Sequence, residues 1–158
     1  MASFCYTVRM KPFKEAVSLV ITNSVGEFLV VKRPDNPNDD IAGIWGFPAV
    51  TLHEGESSEE AAHRVGQQKL GIEIELGNKI NDSTHDRGTY TLHLTDYYAT
   101  VKSGNPSAPQ NDTSVTQYES CKFTNDPTIL FAAAQKGSQC TQIFLESKGY
   151  DWETAKLN

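Results

Sequence analysis

The sequence predicts an α+β fold in a single domain. Short runs rich in β-branched and apolar residues, at 15–21, 27–32 and 88–101, indicate strands. One capped segment, 57–70, has the apolar spacing of a helix that packs on such a sheet. Hydrophobic residues make up 38% of the 158 residues and charged residues 22%, which is ordinary for a globular domain. Because no linker or repeat interrupts the chain, residues 1–158 are treated as one domain.

The first half of the chain is expected to form a hairpin, a loop and a short strand. Residues 15–21 and 27–32 would be the two strands of the hairpin. The polar segment 35–40 has no periodicity and indicates a loop, and the apolar stretch 41–48 leads to a strand at 49–52. The core residues expected from the hairpin are Val17, Leu19, Ile21, Leu29 and Val31.

The helix at 57–70 has recognisable start and stop signals. Ser57 or Ser58 can cap its first turn, where the acidic Glu59 and Glu60 are favourable. Gly71 is expected to end the helix. Its apolar contacts would come from Ala61, Ala62, Val65 and Leu70.

The second half is expected to alternate strands and helices. Further strands are predicted at residues 72–76, 88–101 and 116–123. Residues 103–115, rich in Asn, Pro and Ser, indicate a mobile loop. A helix would start at Asp126-Pro127 and run to about Lys136, and Ser138 would cap a last helix. Tyrosines that we expect in the sheet and core are Tyr90, Tyr97 and Tyr98.

Charge and cysteine content exclude several classes of protein. A net charge of −6 disfavours a nucleic-acid binder or an anionic-membrane binder. No stretch approaches the 18 or so apolar residues of a membrane span, and residues 1–14 lack the apolar core of a signal peptide. Three widely spaced cysteines, Cys5, Cys121 and Cys140, indicate neither a zinc motif nor a disulfide framework. The expected location is the cytoplasm.

The segment from Gly55 to Ile72 carries the most informative pattern. Glu56 is followed by seven residues and then by Arg64, and Gly71-Ile72 closes the motif. This spacing resembles the Nudix box, whose pattern in one-letter code is G-x5-E-x7-R-E-U-x-E-E-x-G-U, with U an aliphatic residue. The resemblance implies an α/β/α sandwich with a mixed sheet, covering a core of about residues 15–147. It also implies that Glu56 and Arg64 pair to brace the loop against the helix.

The metal-binding glutamates of the box are replaced in this chain. In the family three of them hold Mg²⁺ or Mn²⁺ against a diphosphate, and here those positions carry Val65, Gln68 and Lys69. A hard cation needs oxygen ligands, preferably charged ones; valine offers none, glutamine offers one neutral carbonyl, and lysine brings a positive charge of its own. Gly66 stands where the family has an aliphatic residue, so either another group approaches the helix closely there or the helix is less stable.

Outside the box, residues 32–34 (Lys-Arg-Pro) and 43–48 (Gly-Ile-Trp-Gly-Phe-Pro) resemble Nudix members acting on nucleotides. They also resemble the Nudix-like C-terminal domain of adenine-DNA glycosylases. The family's Pro-Gly-Gly becomes Pro48-Ala49-Val50, so the opening glycine of the box is lost.

Five residues are candidates for ligand contacts. Trp45 and Phe47 could stack on a nucleobase or serve as core anchors. Arg33 could contact a phosphate or brace the loop that follows it. His53 could act as a base. Lys69 could replace the metal as a phosphate partner or simply face solvent.

Two function classes remain open, with a third weaker one. The first is a protein that binds a small nucleotide or nucleoside-diphosphate derivative, hydrolyses it weakly or not at all, and needs no cofactor. The second is an active diphosphate hydrolase with Mg²⁺ at a relocated site, in which Glu56 would be catalytic. The third is a protein-interaction domain. The sequence leaves a homodimer open, and no nucleic acid or membrane partner is expected. The relocated metal site would draw on Glu54, Glu56, Glu59 and Glu60, and a set of His53, His63 and His85 is a further alternative.

Overall fold

A computed structural model describes residues 11–38 and 42–157. The expectations for Cys5, for the signal-peptide region before residue 11 and for residues 39–41 lie outside these described ranges. Among the described residues, no helix is both long enough and apolar enough to cross a membrane. The strands are β1 (Phe13–Thr22), β2 (Phe28–Lys32), β3 (Trp45–Gly46), β4 (Ala49–Thr51), β5 (Glu73–Asp86), β6 (Thr91–Ser103) and β7 (Ser120–Thr124). The helices are α1 (Ser58–Val65), α2 (Phe131–Gln135) and α3 (Gln139–Ser147).

Within the described ranges the strands form one mixed seven-stranded sheet. Its main path runs β3-β2-β1-β6-β5, while β4 also pairs with β1 and β7 also pairs with β2. Strands β1 and β6 are parallel along their length, from Phe13 opposite Thr91 to Thr22 opposite Thr100, and the other pairs are antiparallel. The predicted mixed sheet of an α+β fold is therefore confirmed.

Strand β1 is buried on both faces because helices cover both sides of the sheet. The five core residues expected from the hairpin all lie in one cluster, together with Ala61, Ala62 and Val65 of α1. Val20 faces the opposite side, in a second cluster with Phe144 and Leu145 of α3. A strand buried on both faces reads as a continuous apolar run. The two clusters lie on opposite faces of the sheet and give the α/β/α layers that the resemblance to the Nudix box implied.

Helix α1 starts as expected but ends differently. Ser57 is its cap, with its hydroxyl accepting from the Glu60 N–H at 3.1 Å and the Glu60 carboxylate accepting from the Ser57 N–H at 3.0 Å. The chain then continues from Gly66 to Leu70 as a π-helical turn, which ends at Gly71 with φ +70°. The predicted single helix is thus a helix followed by a wider turn.

Close packing explains the glycine at position 66. A Cβ there would lie 3.0 Å from the carbonyl oxygen of Ile72 and 3.1 Å from Cγ2 of Ile74. These distances are tighter than ordinary contacts between side-chain carbons. Of the two explanations that the sequence left open, the close approach of a neighbouring group is the one confirmed.

Two strand predictions need correction. Strand β5 continues to Asp86 instead of ending at residue 76, so His85 lies on a strand opposite Leu92 and not in a loop. Register shifts interrupt the strand between Leu76 and Asn81. The polar residues that follow stay in regular register with β6 from Asn81 to Asp86, so backbone pairing holds this half at the edge of the sheet.

Strand β7 starts at Ser120 instead of residue 116. Of the residues before it, Thr116 and Tyr118 line a cleft and Gln117 bonds to the Gln68 carbonyl.

The remaining helices lie where the sequence predicts them, but the side-chain cap expected from Ser138 is absent. Asp126 caps a 3₁₀ turn from Pro127 to Leu130, accepting from the Thr128 N–H at 3.0 Å, and this turn leads into α2. Ser138 precedes α3, but its hydroxyl contacts the Cys140 sulfur at 3.4 Å and makes no capping bond to the helix.

Candidate functional site

A cleft of about 380 Å³ opens between α1, β4 and the segment before β7. Among the residues that the structure describes, the polar side chains lining it are predominantly basic, and none is aspartate or glutamate. The cleft therefore favours an anion. The titratable side chains in its wall are Arg33, His53, Arg64, Lys69 and Tyr118.

The predicted Glu56–Arg64 pair is confirmed and is bidentate. Arg64 Nε lies 2.8 Å from Glu56 Oε2, and Arg64 Nη2 lies 2.9 Å from Glu56 Oε1. Arg64 also donates to the Thr51 carbonyl at 2.9 Å and to Gln68 Oε1 at 3.2 Å. The hydrogen bond from Arg64 is the main cause that holds the pKa of Glu56 below its ordinary value. Both side chains are only 12–13% exposed, so water has little access to this ion pair. The pair joins the loop that carries Glu56 to β4 and to the helix.

Lys69 is buried in the wall of the cleft and does not face solvent. Its exposed fraction is 8%, its ammonium donates to the Ala49 carbonyl at 3.2 Å, and it lies 4.8 Å from the centre of the Tyr118 ring. Burial, followed by the positive charges of Arg33 and Arg64, lowers the pKa of Lys69 to about 8. The expectation of a solvent-facing helix lysine is wrong, because the π-helical turn carries this residue inward.

The residues at the family's metal positions do not fit a divalent metal. Val65 is 1% exposed and belongs to the core, and the side-chain oxygen of Gln68 accepts from Arg64. Lys69 adds a positive charge at the third position. A hard cation would find no carboxylate among the three.

The alternative metal ligands are not gathered into a site. In the part of the chain that the structure describes, no group of three or more His, Cys, Asp or Glu side chains could hold a metal ion. Glu56 is committed to Arg64, and Glu60 accepts from the Ser57 N–H. Glu54 and Glu59 are exposed, as are His53 and His63.

The aromatic candidates lie beside the cleft. Trp45 and Phe47 line a smaller cavity of about 110 Å³, which shares Arg33 and Ala49 with the cleft. Phe47 is 5% exposed, and its ring packs on Phe144 with the centroids 5.0 Å apart, so it serves as a core anchor. Trp45 is partly buried beneath the Lys122 ammonium, 4.9 Å from its ring centre. Base stacking by these rings stays a prediction.

Tyr118 is a cleft residue that the sequence reasoning missed. Its hydroxyl donates to the Ala49 carbonyl at 3.1 Å and accepts from the Ala49 N–H at 2.8 Å. Burial raises the pKa of Tyr118 to about 12, which keeps it a neutral donor. A single tyrosine between a loop and a strand has no periodicity, so no local pattern could mark it.

The segment from 104 to 119 is fastened to the turn that carries Lys69. Gln117 Nε2 donates to the Gln68 carbonyl at 2.9 Å, and the Ser107 N–H donates to the Leu70 carbonyl at 3.0 Å. These bonds satisfy carbonyls at the end of a helical segment, where intrahelical partners are missing. The segment therefore fixes the turn and contributes Val115 and Thr116 to the cleft.

A mixed sheet between helical layers, with a box helix braced by the Glu56–Arg64 pair, is the architecture of the Nudix class of α/β/α domains. The chain belongs to this family, because the model of the NUDIX domain matches residues 12–131.

Known relatives share the domain at low identity. The chain is 26% identical over 102 residues to a Bacillus subtilis protein named "Putative 8-oxo-dGTP diphosphatase", covering 65% of this chain and 63% of that protein. It is 27% identical over 95 residues to the Escherichia coli CTP pyrophosphohydrolase, covering 56% of this chain and 67% of that protein. The crystal structure of a MutT protein from Methanosarcina mazei has a TM-score of 0.65 at 16% identity, covering 89% of this chain and 98% of that one. The last similarity concerns the fold alone.

Proposed function

We propose that this protein binds a small nucleotide-like ligand by its phosphates, without a divalent metal, and hydrolyses diphosphates weakly or not at all. The observation that carries the proposal is the buried ammonium of Lys69 in a cleft whose described lining residues include no carboxylate. In this binding mode the Lys69 ammonium takes the place of the divalent metal ion that binds the phosphates in the family. No resident metal cofactor is required, and a cytoplasmic nucleotide pool would be its source of ligand.

The charge balance of the cleft supports this binding mode. Arg64 is largely neutralised by its bidentate contact with Glu56, so its donors are already used. Arg33 and Lys69 also carry positive charge among the described residues of the wall, and Arg33 makes a further contact of its own. Burial and these neighbours disfavour the charged form of Lys69, and a bound phosphate would favour it again. Anion binding should therefore be coupled to proton uptake by the protein.

Names of the relatives suggest which ligands to test first. The two curated relatives are named for activity on 8-oxo-dGTP and on CTP, both nucleoside triphosphates. Each alignment covers only part of either protein, so we use these names to choose ligands and not to assign a substrate.

Titration calorimetry in EDTA, with nucleoside mono-, di- and triphosphates, tests the proposal. At pH 8 about half of Lys69 is neutral, so binding should take up as much as about half a proton, seen as a dependence of heat on buffer ionisation enthalpy. Lys69→Gln should weaken binding by about tenfold to a hundredfold, the value of a charge-assisted contact. Lys102→Gln, an exposed lysine on β6, is the matched control and should bind normally. Unchanged affinity in Lys69→Gln would refute the binding mode.

The second candidate is a hydrolase, which the names of the relatives favour. Its test is product release from nucleotides by purified protein with Mg²⁺ or Mn²⁺. We expect little or none, because a missing metal removes both charge neutralisation and activation of the attacking water. Turnover in the usual enzyme range of roughly 1–10³ s⁻¹, abolished by Glu56→Gln and by EDTA, would establish the hydrolase instead.

A further inference from the structure

The Lys69 ammonium has hydrogen-bond donors to spare. Its side chain is 8% exposed, and its Nζ donates to the Ala49 carbonyl at 3.2 Å. An ammonium carries three N–H donors, and Ala49 is its one hydrogen-bond partner among the residues that the structure describes. Buried donors without acceptors cost free energy, and the described residues of the cleft wall include no carboxylate. The two remaining donors therefore favour an acceptor that enters the cleft from solution.

Tyr118 contacts both this ammonium and its hydrogen-bond acceptor. The centre of the Tyr118 ring lies 4.8 Å from Lys69 Nζ, within the range of a cation–π contact. The Tyr118 hydroxyl donates to the Ala49 carbonyl at 3.1 Å and accepts from the Ala49 N–H at 2.8 Å. Tyr118 is 4% exposed, so water has little access to these contacts. One rigid side chain therefore fixes the ring beneath the ammonium and the carbonyl that the ammonium binds.

These bonds occupy both hydrogen-bonding groups of the Ala49 backbone. A carbonyl oxygen has two lone pairs, and here Tyr118 and Lys69 each donate to it, while the Ala49 N–H donates to Tyr118. Ala49 lies in the segment Pro48-Ala49-Val50, where the Nudix family has Pro-Gly-Gly. A phosphate in the cleft would find no free backbone donor at Ala49, and it would depend on side-chain donors such as the Lys69 ammonium.

We propose that Tyr118 is a positioning residue for anion binding, which holds the Lys69 ammonium so that its two unused donors meet a phosphate in the cleft. The inference rests on the proposed function for the phosphate itself. A lysine side chain loses rotational freedom when a ligand fixes it, and that loss weakens binding. Tyr118 and Ala49 impose most of this restriction before the ligand arrives, so the phosphate meets an ammonium that is already in place. Tyr118 acts through Lys69 and is not itself a ligand contact.

Inorganic pyrophosphate is the probe, titrated by calorimetry in EDTA. Fixing one flexible side chain corresponds to about threefold to tenfold in affinity, so Tyr118→Leu should weaken binding by that factor. Tyr118→Phe keeps the ring and should lose less. Tyr90→Leu is the matched control, because the Tyr90 ring lies 4.4 Å from the Lys14 ammonium and neither residue lines the cleft. That variant should bind pyrophosphate like the wild type.

A double-mutant cycle separates positioning from a merely structural role. In the Lys69→Gln background, Tyr118→Leu should change the affinity for pyrophosphate by less than about twofold, because no ammonium is left to position. A structural role would weaken binding in both backgrounds alike. An equal loss with and without Lys69 would therefore overturn the inference.

Proton NMR of the folded wild type tests the placement of the ammonium without a ligand. The ring current of Tyr118 should shift the methylene protons beside the Lys69 amine upfield of those of the exposed Lys102, and Lys69→Gln assigns their signal. Tyr118→Phe should keep this shift. An unshifted signal would overturn the inference even if Tyr118→Leu does not fold.

The two measurements also distinguish this inference from the proposed function. A shifted Lys69 signal in a protein that binds no pyrophosphate would refute the proposed function and leave the contact of Tyr118 with the ammonium standing. Pyrophosphate binding that Tyr118→Leu leaves unchanged would refute the positioning role alone.

Discussion

Replacing the buried Asp96 by asparagine should make the protein more stable at neutral pH. Asp96 lies on β6 and is 2% exposed. One carboxylate oxygen accepts a hydrogen bond from the Ser18 hydroxyl, and the other, Oδ2, has no hydrogen-bond partner. Burial raises the pKa of Asp96 from 3.8 to about 6, although the Ser18 bond opposes that change. An ionised Asp96 carboxylate costs free energy in this position because Oδ2 is buried without a hydrogen-bond partner.

The magnitude follows from the linkage between protonation and folding. The pKa of Asp96 is higher in the folded chain than in the unfolded one, so the folded state favours the neutral acid. The contribution of Asp96 to the free energy of unfolding is therefore most favourable below pH 4, and it is lost as the pH rises to about 6. The difference between 3.8 and about 6, at 1.36 kcal/mol for each pH unit, is about 3 kcal/mol. That is a large share of a typical domain's 5–15 kcal/mol.

Urea denaturation between pH 4 and pH 8 measures this effect. Asp96→Asn, neutral throughout, should match the wild type near pH 4 and exceed it by about 2–3 kcal/mol at pH 7. Glu75→Gln, an exposed carboxylate on β5, serves as the control and should leave the pH profile unchanged. The reasoning is refuted if Asp96→Asn loses stability in parallel with the wild type over this range.

Three further predictions concern the box segment. Gly66→Ala should lower the free energy of unfolding by about 1–3 kcal/mol in urea titrations, because the new Cβ would crowd the Ile72 carbonyl despite alanine's better helix propensity. In the wild type the free energy of unfolding should rise by about 3 kcal/mol between pH 8 and 10.5, since the folded chain lowers the pKa of Lys69. Lys69→Met should remove this rise. Joint replacement of Val65, Gln68 and Lys69 by glutamate should create Mg²⁺ binding, seen as a melting temperature that rises with added Mg²⁺.

The hairpin and the box helix were predictable because their signals are local. Leu19 and Leu29 lie in continuous apolar runs, and a strand buried on both faces requires such a run. The capping serine and acidic residue stand three positions apart, so the start of α1 is visible in the sequence itself. The Glu56–Arg64 brace followed from a fixed spacing in a known motif.

Features that depend on distant partners could not be predicted in this way. The second half of β5 is held by its ladder with β6 and has few buried side chains of its own. Tyr118 reaches the cleft wall, and Asp96 the core, through tertiary packing. The hydrogen-bond partner of Asp96, Ser18, is 78 positions away in the sequence. The π-helical turn that directs Lys69 inward is held by Gln117, 49 positions from its partner Gln68.

We expect exclusion of metal and attraction of anions to follow from the same electrostatic property of this cleft. Arg33 and Arg64 already disfavour a single proton on Lys69, as its lowered pKa shows. A divalent cation placed in the same wall would meet that potential with twice the charge, and no carboxylate among the described lining residues would offset it. A phosphate would meet the same potential with the opposite sign. Added Mg²⁺ should therefore leave the melting temperature of the wild type unchanged while phosphate raises it, and the reverse order would show that the sign of the cleft potential is misjudged.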